Sequence, residues 1–480
     1  MGKDNFFSGF LWKFFEQVMS QIVSFFISII LARLLTPHDY GEVALVNVFI
    51  IIASVFVTSG FSTSLIQKKG ADDLDFSTIF YCSLIFSFLL YLVIYVSAPL
   101  ISNFYYNKDL IPVIRVLGFV LPILAINSIQ QAYVARSLAF KKIFFSTTFA
   151  TIASGIIGII LAINNFKVWA LVYQYLVNNV LSAFVLFVQI PWRPKFHFSI
   201  NRAKSLMAYG WKVMVADFLG NFFAQLRSLV IGRFYTPADL AFYNRGQQFP
   251  NLLSNNVDTT ISSVLFPYMS QSADDPQKLK SIARRALRIS SFLIMPLMFG
   301  LMVTAKPLIL LLLTKKWVKA VQFMQWLCVA NAFSTITNAN LQIMKASGRS
   351  DLLLKIELLK KPVYIVLLFI SIKINILSVA ITMTIYSVYA AIVNAKPNKK
   401  IIGYSYKEQI SDFAPSLLLS LIMALIIWPL DRLPISLSLI LIIQISLGIF
   451  IYVLGAYFFH LDSLKYLVNF ILKKFKRLNH

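Results

Sequence analysis

The chain has 480 residues, of which 58% are hydrophobic, 15% aromatic and only 13% charged, yet 44 basic against 19 acidic residues leave a formal net charge of +25. Soluble domains carry about 25% charged and 45–50% apolar residues, so this composition excludes an ordinary soluble protein and points to the membrane. At ~20 apolar residues per span the chain suffices for roughly fourteen membrane helices and leaves no room for a sizeable soluble domain.

The first apolar stretch, Phe10 to Leu34, is too long for a signal peptide and lacks a small-residue cleavage pattern after it, so it is expected to remain as the first span. Further spans are predicted near 42–66, 76–100, 110–135, 143–163, 168–190, 205–232, 238–268, 286–313, 320–345, 352–372, 374–395, 410–430 and 434–457. Short connections separate them, with turn chemistry at Thr36-Pro37-His38-Asp39, Asn164-Asn165, Pro191-Trp192-Arg193-Pro194, Thr236-Pro237-Ala238-Asp239 and Ala346-Ser347-Gly348-Arg349. Asp72, Asp73 and Asp75 lie in one such connection and read as a solvated turn and helix cap rather than a metal site. Pro122 and Pro296 fall inside spans, where each removes a backbone hydrogen bond and permits a bend. Ser154, Gly155 and Gly158 are small enough for close helix approach and are assigned to packing. The tail after Asp462 alternates apolar and basic residues at helical spacing, as an interfacial helix on the inner leaflet does.

Lys and Arg are distributed over alternate connections in a ratio of roughly three to one, which orients both termini to the cytoplasm and makes the number of spans even. Because these charges flank spans, where anionic lipid attracts them, nucleic-acid binding is not expected. Cys82 and Cys328 sit in apolar runs, and His38, His197, His460 and His480 are far apart, so no metal site is predicted.

An internal repeat organises the chain. Trp12-Lys13 recurs as Trp211-Lys212, and Arg33-Leu34-Leu35-Thr36-Pro37-His38-Asp39 as Arg233-Phe234-Tyr235-Thr236-Pro237-Ala238-Asp239, an offset of about two hundred residues. Six spans separate equivalent positions, and an even number restores orientation, so the halves are expected to be parallel repeats. The expected fold is an all-α polytopic membrane protein of about 14 transmembrane helices. It has an N-lobe of six spans (1–195), a C-lobe of six spans (196–400), a cavity between the lobes, an additional hairpin (401–460) and a basic amphipathic tail (461–480).

Leu31 through Gly41, Gly60-Phe61-Ser62, Ile66-Gln67-Lys68-Lys69, Ala98-Pro99-Leu100-Ile101, Trp192-Arg193-Pro194 and Gly348-Arg349-Ser350-Asp351 together resemble the polysaccharide-transport family of Wzx-type flippases, in its colanic-acid or O-antigen exporter branch. The resemblance implies the multidrug/oligosaccharidyl-lipid/polysaccharide superfamily fold in the bacterial cytoplasmic (inner) membrane. It also implies that a polyprenyl-pyrophosphate-linked oligosaccharide is moved from the cytoplasmic to the periplasmic leaflet by alternating access. It names no cofactor, and points to membrane lipids and polysaccharide polymerase machinery as partners.

Such a substrate calls for cations in a wet cavity, because the planar fork of arginine makes paired charge-assisted hydrogen bonds to phosphate. Arg227, Arg245, Lys212 and Arg33 are the candidate substrate ligands; Asp217, Asp258 and Glu16 are the candidate sites for a coupling proton or sodium ion. With the turn at Pro237 and Ala238 as hairpin tip, Arg227 and Arg245 fall at similar depth, and Asp217 and Asp258 at another. Lys13, Glu16 and Lys212 lie near cytoplasmic ends, where snorkelling and an i,i+3 pair between Lys13 and Glu16 are the favoured account of them. Arg33 and Arg233 also suit a structural role beside Asp39 and Asp239. A polymerase or glycosyltransferase would need a large external loop or a nucleotide-sugar domain, so the protein is not expected to be an enzyme. A small-molecule or drug/ion antiporter of the same superfamily is the alternative.

Overall fold

A computed structural model of the chain describes residues 3–466. The regular elements among them are helical, as hydrocarbon demands: an unpartnered backbone group there costs several kcal/mol, and a helix satisfies its own. In order they are α1 (Lys3–Leu34), α2 (Pro37–Gln67), α3 (Asp73–Tyr105), α4 (Leu110–Gly118), α5 (Val120–Ser137), α6 (Phe140–Ile163), α7 (Val168–Gln189) and α8 (Ile200–Phe234). There follow α9 (Pro237–Ser270), α10 (Pro276–Leu313), α11 (Ala320–Ala346), α12 (Ser350–Ile374), α13 (Ile376–Ala395), α14 (Asn398–Ile402), α15 (Tyr406–Ile427) and α16 (Leu437–Phe458). Among the described residues 11 helical stretches are long and apolar enough to cross a membrane. The expected spans near 238–268, 320–345 and 352–372 form α9, α11 and α12, which have the length but carry side chains such as Asn251, Asp258, Asn338 and Lys360 and stand outside that apolar set.

The span expected over 110–135 is broken into α4 and α5 at Phe119. Pro122 has no N–H to offer the Gly118 carbonyl, so the ladder is interrupted there. Pro296, by contrast, lies within an uninterrupted α10. The repeated Thr-Pro-x-Asp motif is a helix start used twice. Thr36 is the N-cap of α2, Pro37 sits in its first turn, the Asp39 amide donates to Thr36 Oγ1 at 3.3 Å and Thr36 N–H donates back to Asp39 Oδ2 at 2.9 Å. Thr236 and Asp239 repeat both bonds at 3.2 and 3.3 Å.

The chain divides into two compact units, Met1–Ala241 and Phe242–His480. The expected lobe boundary is 195/196; the packing division falls later because α8 lies along α2. In the first unit α1 packs on α6, α6 on α7, and α2 is held by α5 and α8. The motif residue Trp192 is buried against Phe76 and Phe80, with ring centroids 5.7 and 5.9 Å away. Arg136 donates to the Leu65 and Lys68 carbonyls at 2.6 Å, closing the C-terminus of α2. Asp72 caps α3 in a capping box with Asp75, as expected of that cluster, and Asp75 is buried between Lys68 and Arg202. A hydrogen bond from Arg202 holds the Asp72 carboxyl well down, at about 2. A Cβ on Gly155 would lie 2.1 Å from Ile27 Cδ1, which is the close α1–α6 approach that small residues permit. In the second unit α10 is central and touches α11, α15 and α16. Most of the expected tail helix, 467–480, lies outside the described residues.

Candidate functional site

The second unit carries a polar seam that its sequence builds by spacing. Asn251, Asp258 and Ser262 on α9 and Asn331, Asn338 and Gln342 on α11 share the same intervals of seven and four residues, about two turns and one turn of helix. In the structure they pair one to one at a constant offset, which two helices running parallel in register produce. Asn331 donates to Asn251 at 3.2 Å, Asn338 to Asp258 at 2.6 Å and Gln342 to Ser262 at 3.1 Å. Asp258 and Asn338 also line a cavity of about 10 Å³ with Ser262, Thr335, Ser290 and Gln342. That is the scale of one water-sized occupant. Along α9, Asn255, Thr259, Thr260 and Ser263 are exposed, a strip of amide and hydroxyl groups on a helix of membrane length.

The other predicted residues have individual settings. Arg245 is buried, stacks over Trp317 at 5.3 Å and donates to Gln248 Oε1. Arg227 is buried within the first unit. Arg227 and Arg245 therefore belong to different compact units, as do Asp217 and Asp258. Lys212 and Asp217 are exposed on α8, next to Gly220, where an added Cβ would meet nothing within 4 Å. Glu16 is taken up by Lys13 at 2.6 Å, the i,i+3 pair. Arg33 is exposed at the end of α1; its repeat partner Arg233 donates to the Tyr106 hydroxyl at 2.6 Å and lies over that ring at 4.1 Å. The structure thus joins Asp258 to a polar network, with Asn338 as its partner.

Two features go beyond the sequence reading. Lys360, a cation inside an expected span, is buried in α12 and pairs with Glu357 at 2.6 Å; the i,i+3 spacing in Glu357-Leu358-Leu359-Lys360 is the signal that could have found the pair. An apolar groove of about 470 Å³ runs along α10 between Phe292 and Leu308, closed on its other sides by Met423 and Ile427 of α15 and by Ile445 and Tyr452 of α16. Leu253 of α9, from the same helix as the polar seam, also lines it. Gly300 and Gly448 keep it open: a Cβ on Gly300 would meet only Met423 Cε, at 3.7 Å. No local pattern marks such a groove, since its walls come from segments over a hundred residues apart in sequence.

Comparison with known proteins bears on this arrangement. The family model described as "Polysaccharide biosynthesis protein" matches residues 30–322. The chain is 25% identical over 397 residues to the lipopolysaccharide biosynthesis protein WzxC of Escherichia coli, covering 79% of this chain and 78% of that protein. It is 23% identical over 351 residues to the teichuronic acid biosynthesis protein TuaB of Bacillus subtilis, covering 72% of each. Among solved structures, the inward closed conformation of the lipid II flippase MurJ superposes with a TM-score of 0.79 at 16% identity, over 94% of this chain and 99% of that one. An inward-facing multidrug resistance MATE family transporter of the MOP superfamily superposes with a TM-score of 0.61 at 16% identity, over 81% and 94%. At these identities the structural matches establish the fold alone.

Proposed function

The chain belongs to the polysaccharide biosynthesis protein family, and from that premise we propose that it is a flippase that moves a polyprenyl-pyrophosphate-linked oligosaccharide across the inner membrane by alternating access. One observation carries the reading: α9 offers Leu253 to an apolar groove and an amide and hydroxyl strip elsewhere on its surface. An amphiphile with a long apolar chain and a sugar head requires both. The polar helices lower the cost of a hydrated head in hydrocarbon, while the chain stays in apolar surroundings. The names of WzxC, TuaB and MurJ support this assignment. A drug or ion antiporter is the second reading, favoured only by the MATE-like fold.

In the proposed cycle fourteen spans form two six-span lobes, 1–195 and 196–400, plus the hairpin 401–460, with both termini cytoplasmic; the basic-loop asymmetry supports that orientation. Arg227 and Arg245 replace hydration lost by the pyrophosphate, assisted by Lys212 and Arg33. Asp258, held by Asn338 beside its small cavity, takes the coupling proton or sodium ion, with Asp217 and Glu16 as further carboxylates. The ion must bind the two states unequally to bias them.

Reconstituted vesicles test this by following the transfer of polyprenyl-pyrophosphate sugars with proton and sodium gradients imposed separately. One gradient is expected to accelerate transfer, and Asp258→Asn to remove that acceleration. Arg227→Ala or Arg245→Ala should slow transfer about tenfold or more, with partial recovery on lysine. Transfer indifferent to both gradients would leave a passive scramblase, and transport of lipophilic cations without any of the lipid-linked sugar would favour the antiporter.

The groove makes a separate prediction. Gly300→Phe has room at Cβ and fills the groove rather than the core, so the protein should insert normally while transfer falls about tenfold. Unchanged transfer would remove the groove from the path of the chain.

A further inference from the structure

The basic end of α10 carries three arginines within little more than one turn, and each is held differently. Arg284 makes a two-pronged contact with Asp412, Nε and Nη2 donating at 2.8 and 2.9 Å. Arg288 donates from Nε to the same carboxylate at 2.7 Å and from Nη1 to Asp462 at 3.1 Å. The buried Tyr404 hydroxyl completes the set, donating to Asp412 at 2.8 Å. Arg285 lies between them in sequence, is exposed and stacks over the Tyr466 ring at 3.5 Å. Among the described residues no carboxylate lies within ion-pair distance of Arg285. Arg284, Arg285, Arg288, Asp462 and Tyr466, with Ser281 and Ser463, line a cavity of about 440 Å³.

That cavity and the apolar groove are consecutive stretches of one helix: Ile289 lines the first and Phe292 the second. The Phe292 carbonyl, one turn beyond Arg288, accepts from Tyr452 of α16 at 3.0 Å and so ties α16 to α10 at the near end of the groove. An arginine pocket followed one turn along the same helix by an apolar groove has the polarity of a phosphate-bearing lipid. Arg284 and Arg288 are oriented in advance by a buried carboxylate, and Arg285 keeps its fork available for phosphate oxygens.

We infer that this pocket holds the phosphate group of a polyprenyl lipid in the cytoplasmic leaflet, with the lipid's chain in the groove, as a loading position for the substrate. The inference rests on the flippase reading and adds to it a headgroup site outside the predicted residues. Groove length selects the chain. Phe292 to Leu308 is sixteen steps along α10, about 24 Å at 1.5 Å per residue, against about 15 Å for half of the hydrocarbon core. A phospholipid acyl chain ends at mid-membrane; a polyprenyl chain does not.

Direct binding to the purified full-length protein in detergent tests the site without reference to transport. Three probes are titrated and read by native mass spectrometry: polyprenyl phosphate, the corresponding polyprenol and phosphatidylglycerol. Polyprenyl phosphate should bind about tenfold more tightly than polyprenol, and Arg285→Ala should erase that advantage while leaving polyprenol binding unchanged. Tyr466→Ala should weaken phosphate binding in the same direction, and Arg285→Lys should retain part of it. Equal affinity for phosphate lipid and polyprenol, or no effect of Arg285→Ala, would overturn the site. Phosphatidylglycerol binding as tightly as polyprenyl phosphate and displacing it would overturn the assignment of the chain. Binding as described without translocation in vesicles would instead count against the flippase reading alone.

Discussion

Gly41→Ala is expected to abolish export of lipid-linked oligosaccharide, and Gly210→Ala to reduce it more than tenfold, while Gly220→Ala leaves it intact. All three change one methyl group. A Cβ on Gly41 would lie 1.9 Å from the Pro237 carbonyl oxygen, and one on Gly210 2.4 Å from that of Gly60; at Gly220 nothing lies within 4 Å. In both tight cases the obstacle is backbone, which cannot rotate away as a side chain can, so the chains must separate by more than an ångström to reach ordinary contact. Overpacking of this kind costs typically ~1–3 kcal/mol, enough to displace a helix at the contact without unfolding the protein. Gly41 meets Pro237 in the first turn of α9, and Gly60 meets Gly210 of α8 toward the other end of α2, so the two variants loosen contacts at opposite ends of α2. Membrane abundance by immunoblot and surface polysaccharide by staining measure both halves of the expectation. Normal export in Gly41→Ala would mean that export does not depend on that contact.

Asp412→Ala should be the most destabilising single substitution on the basic side of the second unit. Asp412 is 4% exposed and neutralises Arg284 and Arg288 while accepting from Tyr404. Removing one partner of a buried ion pair costs about 3–5 kcal/mol, and the partial exposure of both arginines to water reduces this to roughly 2–3 kcal/mol. Cys328 supplies the probe. It is fully buried, and with Cys82→Ser it becomes the chain's one thiol, so a thiol-reactive dye reports unfolding. The midpoint should fall by roughly 5–10 °C in Asp412→Ala, and less in Asp412→Asn, which keeps some hydrogen bonds. Arg285→Ala should leave it in place, because that side chain stacks on the surface. A midpoint unchanged by Asp412→Ala would show that the arginines find water as good a partner as the carboxylate.

Much of this molecule was legible before any coordinate. Apolar runs of span length can only be helices in hydrocarbon, so the helical class and most boundaries followed from composition. The Thr-Pro-x-Asp repeat carries its structure locally, since an N-cap hydroxyl, a proline and a carboxylate three residues on are all a capping box needs. The break at Phe119 was legible as a possible bend at Pro122 and not as an interruption, because a proline removes one bond and the surrounding helices decide how far the chain turns.

The site behaved differently. Ranking charged residues by depth found Asp258 but said nothing of Asn338, since an amide on α11 becomes a partner only when two helices separated by the whole of α10 lie side by side. The same reasoning placed Arg227 and Arg245 by their distance from one hairpin tip, and could not say what each touches, such as the Trp317 ring beneath Arg245. Composition, periodicity and capping are properties of neighbours in sequence, with energies set within a turn or two of helix, and these determined the class of the protein, its helices and their starts. Which carboxylate keeps a partner, which arginine is left with an open fork and where an apolar groove opens depend on contacts between residues a hundred or more positions apart, and only the packing of α9, α10, α11, α15 and α16 decided them.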